Sequence, residues 1–216
     1  MPLLNQFPRI SEHFNFKCTM CGNCCTGDQK VHLNLYDLYK MARFKNFAST
    51  RQLLIKQIIT LVKGQNNVFV PMIKFKRLIS RKKSSDLPFT FCPFLLNSIE
   101  DDGQLKGYCQ LHPRHKPLIC SLAPVGRVVD LDKDSEEFVF VKPAPDCNGV
   151  ESNEKVSLSA TVNHYKTELD YEMRFFKILR SISERNLEKN EIIENIYSFN
   201  VEEPFPEILT RIENSL

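Results

Sequence analysis

Four cysteines crowded into eight residues restrict this chain more than any other feature. They stand in the run Cys18-Thr-Met-Cys21-Gly-Asn-Cys24-Cys25. One short loop can turn several thiolates inward onto a single metal or cluster, whereas a disulfide between such close neighbours is strained. We therefore predict that the cysteines of this chain are metal ligands. The complete set is Cys18, Cys21, Cys24, Cys25, Cys92, Cys109, Cys120 and Cys147.

The rest of the sequence favours metal binding over disulfide bonds, which need an oxidising compartment. The first six residues carry no basic region followed by an apolar stretch, so we expect no secretory signal and a cytoplasmic location. Lys and Arg interrupt every apolar run before it reaches the roughly 18 residues of a membrane-spanning helix. We therefore expect no transmembrane segment. In a reducing cytosol, a cluster of thiols more often binds metal or carries out redox chemistry.

The adjacent pair Cys24 and Cys25 bears on the kind of metal centre. Thiolates suit zinc, copper(I) and iron–sulfur clusters. Two adjacent side chains diverge and rarely both fit one tetrahedral ion, so the pair indicates two metals, a polynuclear cluster, or one ligand and one spare thiol. Eight thiolates can supply two four-cysteine sites. The surplus favours an iron–sulfur cluster, for instance of the 4Fe-4S type, with zinc as the alternative cofactor.

Composition and apolar patterning predict an α+β fold. The chain has 216 residues, 42% of them hydrophobic and 25% charged, which suits one ordinary domain or two small ones. We expect a compact, cysteine-organised metal-binding core of short strands and hairpins with surrounding helices, and a helical C-terminal region. The predicted domains are a metal- or iron–sulfur-binding domain over 1–150 and a helical extension over 151–216 that packs on it.

Periodicity predicts the individual elements. Asn34 can cap the first helix. A hairpin that turns at Asp101-Asp102-Gly103 would bring Cys92 and Cys109 close together. The predicted helices cover 35–45, 50–63 and 158–183, with shorter ones near 190–198 and 205–214; the predicted hairpins pair 87–96 with 105–109 and 125–129 with 138–141; residues 68–70 and 73–75 are expected to be extended.

Two blocks of motif residues resemble the YkgJ-like CxxCxxCC family of zinc- or iron-chelating cysteine-cluster proteins. The first block is Cys18, Cys21, Gly22, Cys24 and Cys25, followed by Val31, Leu33 and Asp37. The second block is Cys92-Pro-Phe-Leu95, then Cys109, Lys116-Pro117 and Cys120, and it ends near Pro124. The resemblance covers about residues 14–147. It departs from the family at Lys116, where Arg is commoner, and at Ser121, where an Arg often follows the cysteine. It implies a protein that holds a cysteine-ligated centre with a structural or electron-transferring role.

The same cysteine signature occurs in flagellin lysine-N-methylases, which use S-adenosylmethionine. This likeness implies an alternative function, that of a metal-cluster-containing protein N-methyltransferase. The chain has only seven glycines and no GxGxxG nucleotide loop. It also lacks the CxxxCxxC spacing of radical S-adenosylmethionine chemistry. The sequence therefore assigns no catalytic residue and identifies no protein partner or substrate.

Two further groups of residues have both a functional and an ordinary interpretation. His112 and His115 lie between Cys109 and Cys120. Each is interpreted as a metal ligand, as a group that supports a ligand, or as an ordinary surface loop residue. Residues 38–85 hold twelve basic residues and no acidic one, whereas the remainder holds 17 basic and 26 acidic residues. The densest part, 74–83, can face nucleic acid, an anionic membrane surface or an acidic partner. With one interleaved aromatic and no nucleic-acid-binding signature, it is better interpreted as a solvated face or a positive field near the thiolates.

Overall fold

The computed structural model describes residues 7–27, 29–64, 68–77 and 90–216. The described chain combines helices with short antiparallel strand pairs and ends in helices, which confirms the predicted mixed class and the helical C-terminal region. None of the described helices is both long and apolar enough to cross a membrane. Arg81, Lys82, Lys83 and the first residues of the predicted arm 87–96 lie outside the described residues.

The described residues form ten strands and seven α-helices. The strands are β1 (His13–Asn15), β2 (Ile59–Lys63), β3 (Phe69–Ile73), β4 (Lys76–Arg77), β5 (Thr90–Phe91), β6 (Leu95–Ile99), β7 (Leu105–Cys109), β8 (Val125–Asp130), β9 (Ser135–Phe140) and β10 (Lys155–Ser157). The helices are α1 (Leu35–Phe44), α2 (Arg51–Ile55), α3 (Leu118–Leu122), α4 (Leu158–His164), α5 (Lys166–Arg185), α6 (Lys189–Asn195) and α7 (Phe205–Asn214). Short 3-10 turns cover Asn23–Cys25 and Asn148–Glu151.

The strands of the described chain pair two by two, and no pair joins another to form a larger sheet. Hairpins β2–β3, β6–β7 and β8–β9 are accompanied by the pairs β1–β10 and β4–β5. The predicted hairpin of 125–129 with 138–141 is confirmed as β8–β9. The turn and return arm of the other predicted hairpin are confirmed, but its first arm is Leu95–Ile99 and not 87–96, because Thr90 and Phe91 pair with β4. A two-stranded sheet is marginally stable by itself. These pairs therefore depend on the loops and helices that pack against them.

The predicted helix over 50–63 is wrong in its second half. Helix α2 ends at Ile55, Gln57 adopts the left-handed conformation with φ 55°, and β2 then pairs with β3. The segment from Ile59 to Val62 is rich in β-branched residues, which favour strands. Its apolar residues fit a helical period as well, so the pairing with β3 decides the outcome. The expected extended segment near 68–75 is this partner strand.

The predicted long helix over 158–183 is divided at Tyr165 into α4 and α5. Ser157 caps α4 by accepting a hydrogen bond from the backbone N–H of Ala160. Residues with weaker helix propensity, Thr161 and Asn163 among them, precede the break. The shorter C-terminal helices are confirmed as α6 and α7, the latter beginning beside Pro204 and Pro206.

The described residues form two compact units, each assembled from separate stretches of chain. The first unit takes its residues from Met1–Gln29, Lys76–Gln110 and Ile119–Lys166, and the second from Lys30–Phe75, Leu111–Leu118 and Thr167–Leu216. All eight cysteines belong to the first unit. The predicted division into 1–150 and 151–216 stays a prediction.

Helix α1 is the centre of the second unit. Its predicted cap is confirmed, because Asn34 and Asp37 exchange hydrogen bonds between side chain and backbone at 2.9 and 3.1 Å. Leu38 and Met41 are completely buried on the apolar face of this helix. An aromatic group formed by Tyr36, Tyr39, Tyr171 and Phe205 packs with ring centroids 4.9 to 5.9 Å apart.

Candidate metal centre

The cysteine loop, residues 18–25, is shaped by a tight turn at Gly22. Gly22 has φ 77°, a left-handed conformation that glycine adopts at little cost, and its carbonyl accepts a hydrogen bond of 2.8 Å from the backbone N–H of Cys25. The turn carries Cys24 and Cys25 side by side, with their sulfur atoms 3.9 Å apart. All eight cysteines lie within the described residues, and none is joined to another as a disulfide.

Backbone pairing brings Cys92 beside Cys25. The N–H of Cys92 donates to the carbonyl of Cys25 at 2.7 Å, and Gly27 and Thr90 make a second backbone bond of 2.9 Å. The chain after the cysteine loop thus runs antiparallel to β5 and the residue that follows it. Cys109, the last residue of β7, lies opposite Leu95 in the β6–β7 register. The segment from Cys92 to Cys109, which includes this hairpin, therefore contributes two further thiols next to Cys25.

The groups around Cys25 shift the pKa of its thiol. A hydrogen bond with Cys24 lowers the pKa, but a hydrogen bond with Cys92, burial and the nearby charges of Cys92 and Cys109 raise it to about 12. Without a cation, thiolates at this position would repel one another. Burial and the neighbouring thiols therefore disfavour the thiolate form of Cys25.

Cys147 contributes a thiol from a fourth stretch of chain. The residue is 8% exposed, and the backbone N–H groups of Gly149 and Val150 donate to its sulfur. Burial raises the pKa of Cys147, these two hydrogen bonds lower it, and the charges of Cys21 and Cys24 raise it further. N–H groups directed at a sulfur favour its thiolate form, the form that binds metal.

Two overlapping groups of predicted ligands result. Cys24, Cys92 and Cys109 act on the pKa of Cys25 in the first group, and Cys21 and Cys24 act on the pKa of Cys147 in the second. Cys18 is exposed at the start of the loop and Cys120 is half-buried in α3; these contacts assign neither to a group. Among the described residues, no three His, Cys, Asp or Glu side chains lie close enough together to coordinate one metal ion in their present positions.

The two candidate histidines belong to the second unit. His112 is exposed, and His115 is half-buried with its ring 5.5 Å from the ring of Phe44. The buried Nδ1 of His115 has no hydrogen-bond partner within the described structure. A metal role for either histidine stays a prediction.

Asp37, a residue of the resemblance motif, supports the segment that leads to Cys120. One carboxylate oxygen accepts the backbone N–H of Leu118 at 2.8 Å, while the other takes part in the α1 cap. Lys40, one turn further along α1, donates to the carbonyl of Lys116 at 2.7 Å and to Glu168 at 2.6 Å. The sequence motif includes Asp37 but gives it no role, although its spacing of three residues from Asn34 is typical of a capping box.

Three more residues hold the cysteine loop and were missed from the sequence. Asn23 donates to a carboxylate oxygen of Asp146 at 2.8 Å, which ties the residue before Cys24 to the residue before Cys147. Gly107 packs on the main chain of the loop at Gly22, and Gly149 packs on the main chain of Lys17, the residue before the loop. Each glycine lies two residues from a cysteine, a spacing that the sequence displays but does not explain.

The basic stretch makes several pairings within the second unit. Arg51 donates to Glu194 at 2.6 Å, Lys40 is buried against Glu168, and Lys74 donates to Gln57 at 2.8 Å. The pairings of Arg51 and Lys74 fit a solvated face, whereas Lys40 is buried inside the second unit. A nucleic-acid or membrane partner for this stretch stays a prediction.

Comparison of the chain with protein-family models, with curated proteins and with solved structures finds no match. The resemblance to the cysteine-cluster family remains a prediction from two motif blocks. What the chain binds must therefore be inferred from its thiols and their surroundings.

Proposed function

We propose that this chain is a metal-binding protein of the CxxCxxCC type that holds a cysteine-ligated centre, with an iron–sulfur cluster preferred and zinc as the alternative. Its role is structural or electron-transferring. The observation that supports this most is the gathering of thiols from four separate stretches of chain around the Cys24–Cys25 turn. Packing in the core does not explain the gathering, because only Cys92 and Cys147 are buried, whereas a free Cys that serves packing is a buried small hydrophobe.

The donor set suits soft metals and iron–sulfur clusters. Thiolates select zinc, copper(I) and iron–sulfur clusters over magnesium and calcium. A bound cation removes the repulsion that raises the pKa of Cys25, and the thiols lose their protons as the metal enters. The two N–H groups on Cys147 are of the kind that tune sulfur ligands in such centres.

Binding requires the thiols to close further around the metal, since no three of them converge fully in the described residues. The exposed side chains of Cys18, Cys21 and Cys24 can supply that movement by rotation about χ1. The cluster or ion would cross-link the loop, the β6–β7 hairpin and the segment at Cys147. Such a cross-link supplies folding free energy, and an iron–sulfur cluster would in addition carry an electron.

Metal and acid-labile sulfide, measured per chain on protein purified without oxygen, test the proposal. Iron with matching sulfide and absorbance at about 400 nm identifies a cluster, because zinc is d10 and gives no such band. Zinc without sulfide identifies the alternative. If the protein contains neither iron nor zinc, and takes up neither of them on reconstitution with its thiols reduced, the proposal is overturned.

The methyltransferase alternative has its own test. Equilibrium dialysis against S-adenosylmethionine measures whether the metal-loaded chain binds that cofactor. Saturable binding supports the enzyme, and no binding at saturating ligand counts against it. Metal content does not decide this question, because both candidates contain a centre.

A further inference from the structure

Gly107 lies where β7 packs directly on the main chain of the cysteine loop. Its N–H donates to the carbonyl of Met20 at 2.6 Å. A Cβ added at Gly107 would lie 2.6 Å from the Cα and 2.9 Å from the N of Gly22. Side-chain carbons do not approach backbone atoms that closely, so any larger residue would push the loop away from the strand.

Gly149 makes an equivalent contact with Lys17, the residue that precedes the loop. The N–H of Lys17 donates to its carbonyl at 2.9 Å, and a Cβ at Gly149 would lie 2.5 Å from the carbonyl oxygen of Lys17. Neither Gly107 nor Gly149 has a positive φ. Both positions therefore need glycine for space and not for an unusual backbone conformation.

Both glycines are two residues from a predicted ligand. Gly107 and Cys109 lie on the same face of β7, because side chains alternate along a strand. The loop that packs on Gly107 is therefore on the side to which Cys109 points. At the second contact, the N–H of Gly149 donates to the sulfur of Cys147. Each glycine thus couples the placement of the loop to the placement of a thiol outside it.

We propose that Gly107 and Gly149 are positioning residues of the metal centre, which keep the main chain of the cysteine loop close enough to Cys109 and Cys147 for rotation of the thiol side chains to complete one metal centre. The inference rests on the proposed function. Metal–thiolate bonds of about 2.3 Å tolerate deviations of only about 0.2 Å. A methyl group that displaces the loop by more than this separates the two halves of the site.

Cadmium titration of Gly107→Ala and Gly149→Ala tests the proposal, with the thiolate-to-cadmium charge-transfer absorbance as the readout. We expect each variant to bind Cd²⁺ about 10- to 100-fold more weakly than the wild type, the range found when residues that support metal ligands are changed. Gly126→Ala is the matched control. Its Cβ would also meet an atom at 2.6 Å, but that atom belongs to the side chain of Val141. We expect its cadmium affinity to stay within twofold of the wild type, whatever the change in stability.

Urea unfolding of the metal-free proteins separates loss of folding from loss of ligand placement. Wild-type affinity in folded Gly107→Ala and Gly149→Ala would overturn the positioning role and leave the proposed function intact. A wild-type chain that binds neither cadmium nor any reconstituted metal would overturn both. If neither alanine variant folds, Asn23→Ala, which frees the loop from Asp146 without adding bulk, replaces them; unchanged cadmium affinity in that variant counts against the proposal.

Discussion

At the scale of single residues, the thiols are packed in a way that makes their charge costly. Cys92 is 6% exposed and lies beside Cys25, whose pKa is raised to about 12. A metal that neutralises these thiolates should therefore stabilise the folded chain, because it binds the folded form more tightly than the unfolded one.

Cys92→Ser tests this linkage. We expect metal at about 100 times its Kd to raise the free energy of unfolding of the wild type by about 2.7 kcal/mol and that of Cys92→Ser by much less. Cys21→Ala and Cys120→Ala should lower metal content and stability together. Urea unfolding with and without metal measures the difference, and Ser98→Ala, on an exposed position of β6, is the control. Equal stabilisation of the wild type and Cys92→Ser would contradict the prediction.

The buried side chain of Tyr197 should lower the stability of the folded chain at alkaline pH. The hydroxyl of Tyr197 donates to the carbonyl of Phe69 at 2.7 Å, and burial raises the pKa of this tyrosine above its ordinary value near 10. A raised folded-state pKa contributes stability that is complete below about pH 10 and is lost as the pH rises further. Burial lowers the pKa of Lys40, but the carboxylates of Asp37 and Glu168 raise it, and the pKa is raised overall. Deprotonation of Lys40 at high pH therefore also lowers the stability of the folded chain.

Tyr197→Phe should lower the free energy of unfolding by about 1 kcal/mol at pH 7, since one hydrogen bond is lost. Above pH 10 the variant should lose stability less steeply than the wild type. Urea unfolding at pH 7, 9 and 10.5 gives both quantities, with Tyr165→Phe as the control. If the free energy of unfolding falls equally steeply above pH 10 in the wild type and in Tyr197→Phe, ionisation of Tyr197 does not cause the loss of stability.

At the scale of elements, α1 does more than pack its apolar face. Asp37 completes the helix cap and also accepts the N–H of Leu118, while Lys40 holds the carbonyl of Lys116. The segment before Cys120 thus takes its position from a helix that carries no cysteine. This arrangement gives a physical role to the motif aspartate.

Asp37→Ala should destabilise the chain more than Asn34→Ala. Removing the Asn34 side chain costs about 1 kcal/mol, the usual value for an N-cap. Removing the buried carboxylate leaves the N–H of Leu118 without its acceptor and Lys40 with one carboxylate fewer, which costs about 3 kcal/mol. Urea unfolding of both variants at pH 7 measures the difference. Equal losses would mean that Asp37 acts only as a cap residue.

At the scale of the whole molecule, the predicted ligands are unevenly distributed. Every cysteine belongs to the first unit, whereas α1, α6 and α7 belong to the second. Ligand binding raises the stability of the part that binds, and amide exchange reports such local stability.

Metal should therefore slow amide exchange most strongly in the first unit. We expect the largest protection at residues 17–27, 92–109 and 147–150, where the loop and its contacts lie. Helix α7 should change less. Hydrogen exchange with mass spectrometric detection, with and without metal, measures the pattern; the variant Cys92→Ser in the same metal concentration provides the baseline. Uniform protection along the chain would contradict the prediction.

Local patterns predicted a substantial part of this protein. The thiol run indicated soft-metal chemistry, Asn34 indicated the start of α1, and the turn at Gly103 indicated the β6–β7 hairpin; each of these depends on residues close together in the chain. The metal itself stays a prediction from this pattern.

Tertiary structure decided what depends on distant partners. Residues 59–63 fit a helix or a strand by their own pattern, and pairing with β3 selected the strand. The neighbours of Cys25 and Cys147 come from segments tens of residues away, and no local period encodes them. Gly107 and Gly149 are explained only by the main chain that packs against them. Backbone approach of this kind arises when the chain folds back on itself, which is why the sequence displays the glycines and only the fold gives the reason for them.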